Sequence, residues 1–319
     1  MAVQVAVLDD YQEVARGCGP WEDLGDGVEL TVFHDHISNS GVLRDLLHDF
    51  EVVVAMRERT PFTAERLAEL PNLKLLVTTG GANAAIDMDA ARELGITVCG
   101  TGALPSPTAE LTWGLIIALT RHICEEDRRI REGGWQRTIG PELAGRTLGV
   151  VGFGRLGQRV ARIAQVFEMD VLAWSQNLDG EAARSAGVEP VAKDELFARS
   201  DVVSIHTRLS DRTRGLIGAG ELERMKPTAV LVNTSRGPIV QEKALLAALK
   251  RGQISGAALD VYDKEPLPAD HPLREAPRTL LTPHLGYVST GTYEVFFRDV
   301  VEDIAAFLRG EPVRVLNAG

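Results

Sequence analysis

One short run in the middle of the chain limits the fold more than any other feature. Gly152-Phe153-Gly154-Arg155-Leu156-Gly157 directly follows the apolar segment Leu148-Gly149-Val150-Val151 and opens a helical pattern, Arg155–Phe167. Glycines recur at this spacing by chance, but a strand leading in and a helix leading out make the turn specific. The first glycine permits the tight turn, and the second lets backbone approach a pyrophosphate. The third lets the helix lie close on the strand. Amides and dipole at the helix start then face the anion. An ordinary glycine-rich turn is the plain alternative; the flanking strand and helix favour a dinucleotide.

The same alternation of strand and helix runs on both sides of this motif. Before it, Val3–Leu8, Leu30–Phe33, Val52–Met56, Leu73–Thr78 and Ile96–Cys99 read as strands. Leu43–His48, Thr63–Leu70 and Met88–Leu94 read as helices between them, with Thr63 and Asp87 as N-caps and Gly95 as a stop. After it come strands Thr147–Gly152, Val171–Trp174, Asp201–His206, Ala229–Asn233 and Gly256–Leu259, helix Gln241–Lys250 and a last helix, Tyr293–Leu308. Such a succession predicts parallel sheets covered by helices on both faces. The 319 residues are enough for two domains. A Gly/Pro/Ser break, Gly100–Pro107, separates the blocks and leads into a long helix expected from Thr108 to about Glu132. Its broad apolar stripe needs cover on two sides, from a second subunit or from the two domains of one chain. The final helix has no strand left to cover in the second domain and is expected to pack back on the first.

Composition excludes several partners. The net charge of −11 repels phosphate backbones and anionic lipid, so neither nucleic acid nor membrane is an expected partner. A small anionic substrate then needs a local Arg. Cys18, Cys99 and Cys124 form no CxxC pair, which argues against a disulfide framework or a cysteine zinc site. No signal-peptide pattern precedes the first strand, and the most apolar stretch, Leu111–Leu119, is too short to span a bilayer. A cytoplasmic protein is expected.

An acid about 20 residues beyond the glycine motif normally grips the ribose 2′-hydroxyl and repels a 2′-phosphate. Here Ser175 stands at that place, followed by Gln176 and Asn177. All three can donate hydrogen bonds to phosphate oxygens, so NADP(H) is favoured over NAD(H). Arg208, after the strand ending at His206, is the one nearby cation to meet a 2′-phosphate.

Three polar residues follow successive strands: Arg236 in Asn233-Thr234-Ser235-Arg236-Gly237, Glu265 in the Asp260–Pro266 stretch, and His284 in Thr282-Pro283-His284-Leu285-Gly286. Ligands of open parallel sheets bind beyond the strands' carboxyl ends, where these three would gather. Hydride transfer to a ketone carbon leaves an oxygen that needs a proton, which suits the imidazole of His284. A carboxylate beside it, Glu265, would favour the imidazolium and fix the ring. The fork of Arg236 can hold a substrate carboxylate and polarise the keto oxygen. Each residue alone has a dull explanation: a surface pair, a solvated loop acid, a helix cap.

These motifs in this order, with Met225-Lys226-Pro227 and Asp260-Val261, resemble the D-isomer-specific 2-hydroxyacid dehydrogenase family over nearly the whole chain. The resemblance implies an α/β protein of two Rossmann-like parallel-sheet domains. A flavodoxin-like substrate domain (1–102 and 287–319) would flank an NAD(P)-binding domain (103–286), and the chain would form a homodimer through the long helix. The implied activity interconverts small 2-oxo acids and D-2-hydroxy acids, with Arg236, Glu265 and His284 catalytic. The cofactor side comprises Thr108, Gly152, Gly154, Arg155, Leu156, Gly157, Ser175, Gln176, Asn177, His206, Thr207, Arg208, Thr213, Thr234, Ser235, Asp260 and Gly286. On the substrate side are Arg57 and backbone amides at Gly80, Gly81 and Ala82; no metal is implied.

Two departures stand out. Ser175 replaces the usual acid, and Met56-Arg57-Glu58-Arg59-Thr60-Pro61 adds Arg57 and Glu58 to the family's Arg-Thr-Pro pattern. Glu58 would select a cationic side chain if it faced the pocket; a solvated carboxylate is the blander reading. The same groups could reduce a 2-imino acid to a D-amino acid, and the fold could serve as a nucleotide-sensing binding protein. Reductive 3-phosphoglycerate-type metabolism is disfavoured because no regulatory domain follows Gly319. His34-Asp35-His36 reads as a polar turn rather than a metal site. Trp113, Trp135 and Trp174 read as core or interface aromatics.

Overall fold

The computed structural model describes residues 2–318. It forms two compact units, Met1–Leu104 with Val288–Gly319, and Pro105–Tyr287. The divisions fall slightly later than the expected 102 and 286. Gly102 N donates to Asp299 and Leu104 packs on Gly291, which ties residues 102–104 to the C-terminal helix. Tyr287 stays with the second unit, edge-on to His284 at 5.4 Å.

The first unit holds β1 (Val3–Val7), β2 (Val28–Val32), β3 (Val52–Ala55), β4 (Leu75–Thr78) and β5 (Thr97–Gly100). They pair in parallel in the order β2-β1-β3-β4-β5, the flavodoxin-like arrangement. Every residue of β3 and β4 is buried, as continuous aliphatic runs between two helix layers require. Thr63 and Asp87 accept the N-cap hydrogen bonds of their helices. Gly95, at φ +74°, follows the end of the second.

The C-terminal helix, Thr290–Leu308, starts three residues earlier than its apolar pattern suggests, because Ser289 caps it. It buries Tyr293, Phe296, Phe297, Val300 and Ile304 in this unit. The tail then lies on the edge of β5. Leu316 N donates to Val98 O at 2.7 Å, and Asn317 bonds both Val98 N and Ile96 O. That closes an edge which would otherwise expose unpaired backbone.

Arg314 anchors this tail through Asp303 at 3.0 Å and Glu302 at 2.7 Å. Burial pushes the Asp303 carboxyl up to about 7, and Arg314 offsets this only in part. The folded state therefore binds this proton more tightly than the unfolded chain. Stability from this group is present at low pH and falls as pH rises from about 4 to about 7. Between pH 5 and pH 8 the native protein should lose roughly 2 kcal/mol more than Asp303→Asn. Thermal melts at both pH values measure it; parallel pH dependences would refute it.

The second unit contains β6 (Thr147–Val151), β7 (Asp170–Trp174), β8 (Glu189–Pro190), β9 (Val202–Ile205), β10 (Val230–Asn233), β11 (Gly256–Leu259) and β12 (Thr279–Leu281). The parallel order is β12-β11-β10-β9-β6-β7-β8. Strand order reverses between β6 and β9, and the glycine motif leaves β6 at that switch point. Apolar clusters cover both faces of the sheet.

The expected Thr108–Glu132 helix is in fact two, Pro107–Thr120 and Ile123–Arg131. His122 between them is left-handed at φ +55°, and the hydrogen-bond ladder stops at Arg121. Gly140 lies so close to the Thr120 carbonyl that a Cβ there would come within 2.2 Å, so another chain segment occupies the path of a continuing helix. The first helix buries Trp113, Leu115 and Ile116, whereas the second buries none of its residues. Trp135 is 71% exposed and belongs to no core, unlike Trp113. Short helices at Gly180–Ser185, Lys193–Arg199 and Ala219–Arg224 were invisible as periodicity because each spans two turns or fewer. Among the described residues no helix is long and apolar enough to cross a membrane.

Candidate active site

The three glycines after β6 meet three different surroundings. Gly152 adopts φ +96°, and a Cβ there would stand 2.7–2.8 Å from the His206–Thr207 backbone. At Gly157 a Cβ would meet Gly152 O at 2.2 Å, so only glycine lets the helix seat on the strand. Gly154 has nothing within 4 Å and is exposed. The helix it starts, Arg155–Val166, has no side-chain cap on its first amides. Open space above uncapped amides is what a pyrophosphate needs, so the residues present fit a dinucleotide. Arg155 is exposed and Leu156 half-buried beside that space.

Around it, Gly152 N donates to Trp174 O at 2.8 Å, which places Ser175 at the rim of the glycine loop. Gln176 and Asn177 are exposed beside it. The nearest following acid, Asp179, caps the next helix through Glu181 N and Ala182 N. On the β9 side, burial pushes the His206 imidazole down to about 3, leaving it neutral. Its Nε2 meets Ser204 Oγ at 2.8 Å, while Nδ1 is buried without a hydrogen-bond partner. Thr207 is half-buried and Arg208 exposed. The Thr213 hydroxyl is occupied inside the loop, donating to Arg208 O at 2.6 Å and accepting from Ser210 N.

His284 and Glu265 come together. His284 Nδ1 lies 2.6 Å from Glu265 Oε2, and the other carboxylate oxygen accepts from Tyr262 N at 2.9 Å. Both side chains are partly buried, 19% and 30% exposed, so solvent screens their contact weakly. His284 itself is left-handed at φ +55°. Asp260 holds this loop in shape: fully buried, it accepts from Thr282 Oγ1, Leu285 N and Gly286 N at 2.6–2.8 Å. Burial raises its carboxyl, and those donors pull it back. Tyr262 OH donates to Thr282 O at 2.9 Å.

Arg236 is set from β10. Asn233 accepts from Ser235 N and donates to Arg236 O, both at 3.0 Å, and Ser235 Oγ bonds Ile205 O. Arg236 Nη1 donates to Ser235 O at 2.7 Å. Gly237 then abuts the backbone of Tyr262, where a Cβ would be 2.1 Å from a carbonyl carbon. That contact brings the Arg236 turn against the Glu265 loop. Thr234 bonds Thr112 at 2.9 Å, and Thr108 Oγ1 donates to Gly286 O at 2.7 Å.

In the first unit, Arg57 is left-handed at φ +53° and its side chain crosses Gly80. The Gly80 amide does not match its expected role, because it already donates to Thr101 Oγ1 at 2.7 Å. Gly81 and Ala82 lie exposed. Glu58 is neither solvated nor isolated: its side chain is 21% exposed and lies 3.6 Å from Arg57 Nε. His36 and His34 each contact a buried aspartate, Asp9 at 2.9 Å and Asp10 at 3.8 Å.

Several residues that shape the site carry no sequence signal of their own. Asn233, Tyr262 and Thr282 lie inside recognisable motifs and could be read from them. Asn83, which bonds Arg57 O, and Thr112 could not, since nothing marks a pairing across 26 or 122 positions.

A family model described as "D-isomer specific 2-hydroxyacid dehydrogenase, NAD binding domain" matches residues 113–286. The glyoxylate reductase of Korarchaeum cryptofilum is 38% identical over 298 residues, covering 91% of this chain and 90% of that protein. The D-3-phosphoglycerate dehydrogenase of Archaeoglobus fulgidus is 39% identical over 83% of this chain but 51% of its own length. The crystal structure of phosphoglycerate oxidoreductase from Vibrio cholerae superposes with a TM-score of 0.92 at 40% identity, covering 97% and 99% of the two chains. With its switch-point glycine loop and its paired imidazole and carboxylate, the chain belongs to the D-isomer specific 2-hydroxyacid dehydrogenase family.

Proposed function

We propose that the protein is an NAD(P)H-dependent reductase that interconverts small 2-oxo acids and D-2-hydroxy acids, with His284 as acid and base. The observation that carries this reading is the 2.6 Å contact between His284 Nδ1 and Glu265. A carboxylate on Nδ1 fixes the tautomer and leaves Nε2 to reach a substrate oxygen. When bound, the nicotinamide supplies or accepts the hydride. His284 Nε2 gives its proton to the oxygen of the reduced substrate and takes it back in the oxidative direction. Glu265 stabilises the imidazolium and is itself held by Tyr262 N. Arg236 grips the substrate carboxylate and polarises the keto oxygen. Arg57 and the Gly81 and Ala82 amides are further proposed substrate contacts. Thr234 and Asp260 would line the nicotinamide end of a bound dinucleotide. The glyoxylate reductase relative supports a small substrate.

NADP(H) is the proposed cofactor. Ser175 puts no charge beside a 2′-phosphate, Asp179 is occupied as a helix cap, and Arg208 is an exposed cation on the neighbouring loop. A homodimer is also proposed. Ile123, Ile130, Trp135 and Ile139 are 49–95% exposed, and these apolar side chains suit cover by a second copy.

Reduction of glyoxylate, hydroxypyruvate, pyruvate and phenylpyruvate, followed with NADPH and with NADH, tests the reading. NADPH should give the higher kcat/KM, and Ser175→Asp should shift the ratio toward NADH by at least about tenfold, or 1.4 kcal/mol. A native preference for NADH above tenfold would reverse the cofactor assignment. Absence of turnover with all four acids would remove the reductase reading.

A further inference from the structure

The corner around Arg57 is built more tightly than a surface cation requires. Its left-handed backbone is fixed by Asn83 Nδ2, which donates to Arg57 O at 2.7 Å, and by Thr79 Oγ1, which accepts from Arg57 N at 3.0 Å. Asn83 is buried and held in turn by Thr78 Oγ1 and Ala85 N, each at 2.8 Å. The guanidinium lies where a Gly80 side chain would be, 1.7 Å from an ideal Cβ. Within this frame Nη1 donates to Thr79 O at 3.0 Å, and Nε faces Glu58 Oε2 at 3.6 Å.

A guanidinium presents two paired faces to an oxyanion, Nη1 with Nη2 and Nε with Nη2. Here Nη1, a donor of the first face, is already engaged by Thr79 O, and Nε of the second face looks onto the Glu58 carboxylate at ion-pair distance. The Glu58 carboxylate also cancels much of the cationic field. Both side chains are about four-fifths buried, so water screens their interaction less than at an open surface.

We propose that Glu58 sets the charge of the substrate: the Arg57 corner accepts 2-oxo acids with one negative charge and turns away those with a second carboxylate or a phosphate. This rests on Arg57 facing the substrate, as proposed above. An unpaired arginine would reward a second anionic group with a bidentate grip. Beside Glu58 that group meets a like charge and a fork with one tooth occupied. A neutral side chain meets neither obstacle.

The test compares kcat/KM for glyoxylate and hydroxypyruvate with that for oxaloacetate and 2-oxoglutarate, in the native enzyme and in Glu58→Gln. The native enzyme should favour the singly charged acids by at least about tenfold, and Glu58→Gln should raise the dianion-to-monoanion ratio by a further factor of about ten, equivalent to 1.4 kcal/mol. The ratio is internal to each protein, so a general loss of activity cancels. A native enzyme that treats both classes alike, or prefers dianions, overturns the proposal even if the variant does not fold. An unchanged ratio in a folded variant overturns it too. Both of those outcomes leave the reductase reading standing, whereas failure to reduce any of these acids, or pyruvate and phenylpyruvate, would remove both.

Discussion

Replacing His284 by Gln should lower kcat for 2-oxo acid reduction by roughly a thousandfold, within the range for losing a general acid. Affinity for the cofactor should stay within about twofold. The two readouts separate because different parts of the second unit produce them. The proposed pyrophosphate contacts belong to the loop after β6, where Gly154 leaves open space above helix amides. The imidazole belongs to the 282–286 loop, which Asp260 holds by three hydrogen bonds. Gln can fill the volume and keep a hydrogen bond to Glu265, but it has no proton to give near neutral pH. Titration of NADPH fluorescence gives the binding term, and initial rates give kcat. Loss of both together would point to a structural role for His284.

Gly237→Ala is expected to act on fold and turnover at once. An added Cβ would stand 2.1 Å from the Tyr262 carbonyl carbon, 2.3 Å from its oxygen and 2.5 Å from Asp263 N. All three are backbone atoms, so no side chain can swing aside. The Arg236 turn and the Glu265 loop must move apart, at a cost of about 1–3 kcal/mol for overpacking. Misplacing reacting groups by about an ångström costs on the order of a hundredfold in rate. A drop in Tm of several degrees with a fall of about a hundredfold in kcat/KM would fit this account. Native values for both would mean that the close approach is not needed.

How far the sequence reveals this molecule depends on the range of the interaction involved. The strands of both sheets were legible because parallel strands buried on two faces read as aliphatic runs; β3 and β4 are buried at every position. The glycine motif is legible because Gly152 and Gly157 answer steric demands and Gly154 keeps space open, all in one short stretch. His284, Glu265 and Arg236 could be named as a group from their places after successive strands. The break at His122 left no trace, because a left-handed histidine is dictated by how the neighbouring chain near Gly140 packs. The Gly80 amide looked available until the fold brought Thr101 to it. Glu58 was ambiguous for the same reason, since its role turns on where the Arg57 guanidinium lies.

The most direct test is the coupling between Glu265 and His284, measured as a double-mutant cycle on kcat for 2-oxo acid reduction. Glu265→Gln alone should cost roughly ten- to a hundredfold. In the His284→Gln background the same change should cost little more, because residues acting as one unit are strongly non-additive. A coupling energy above about 1 kcal/mol is the predicted result. Additive losses would contradict the claim that this pair delivers the proton.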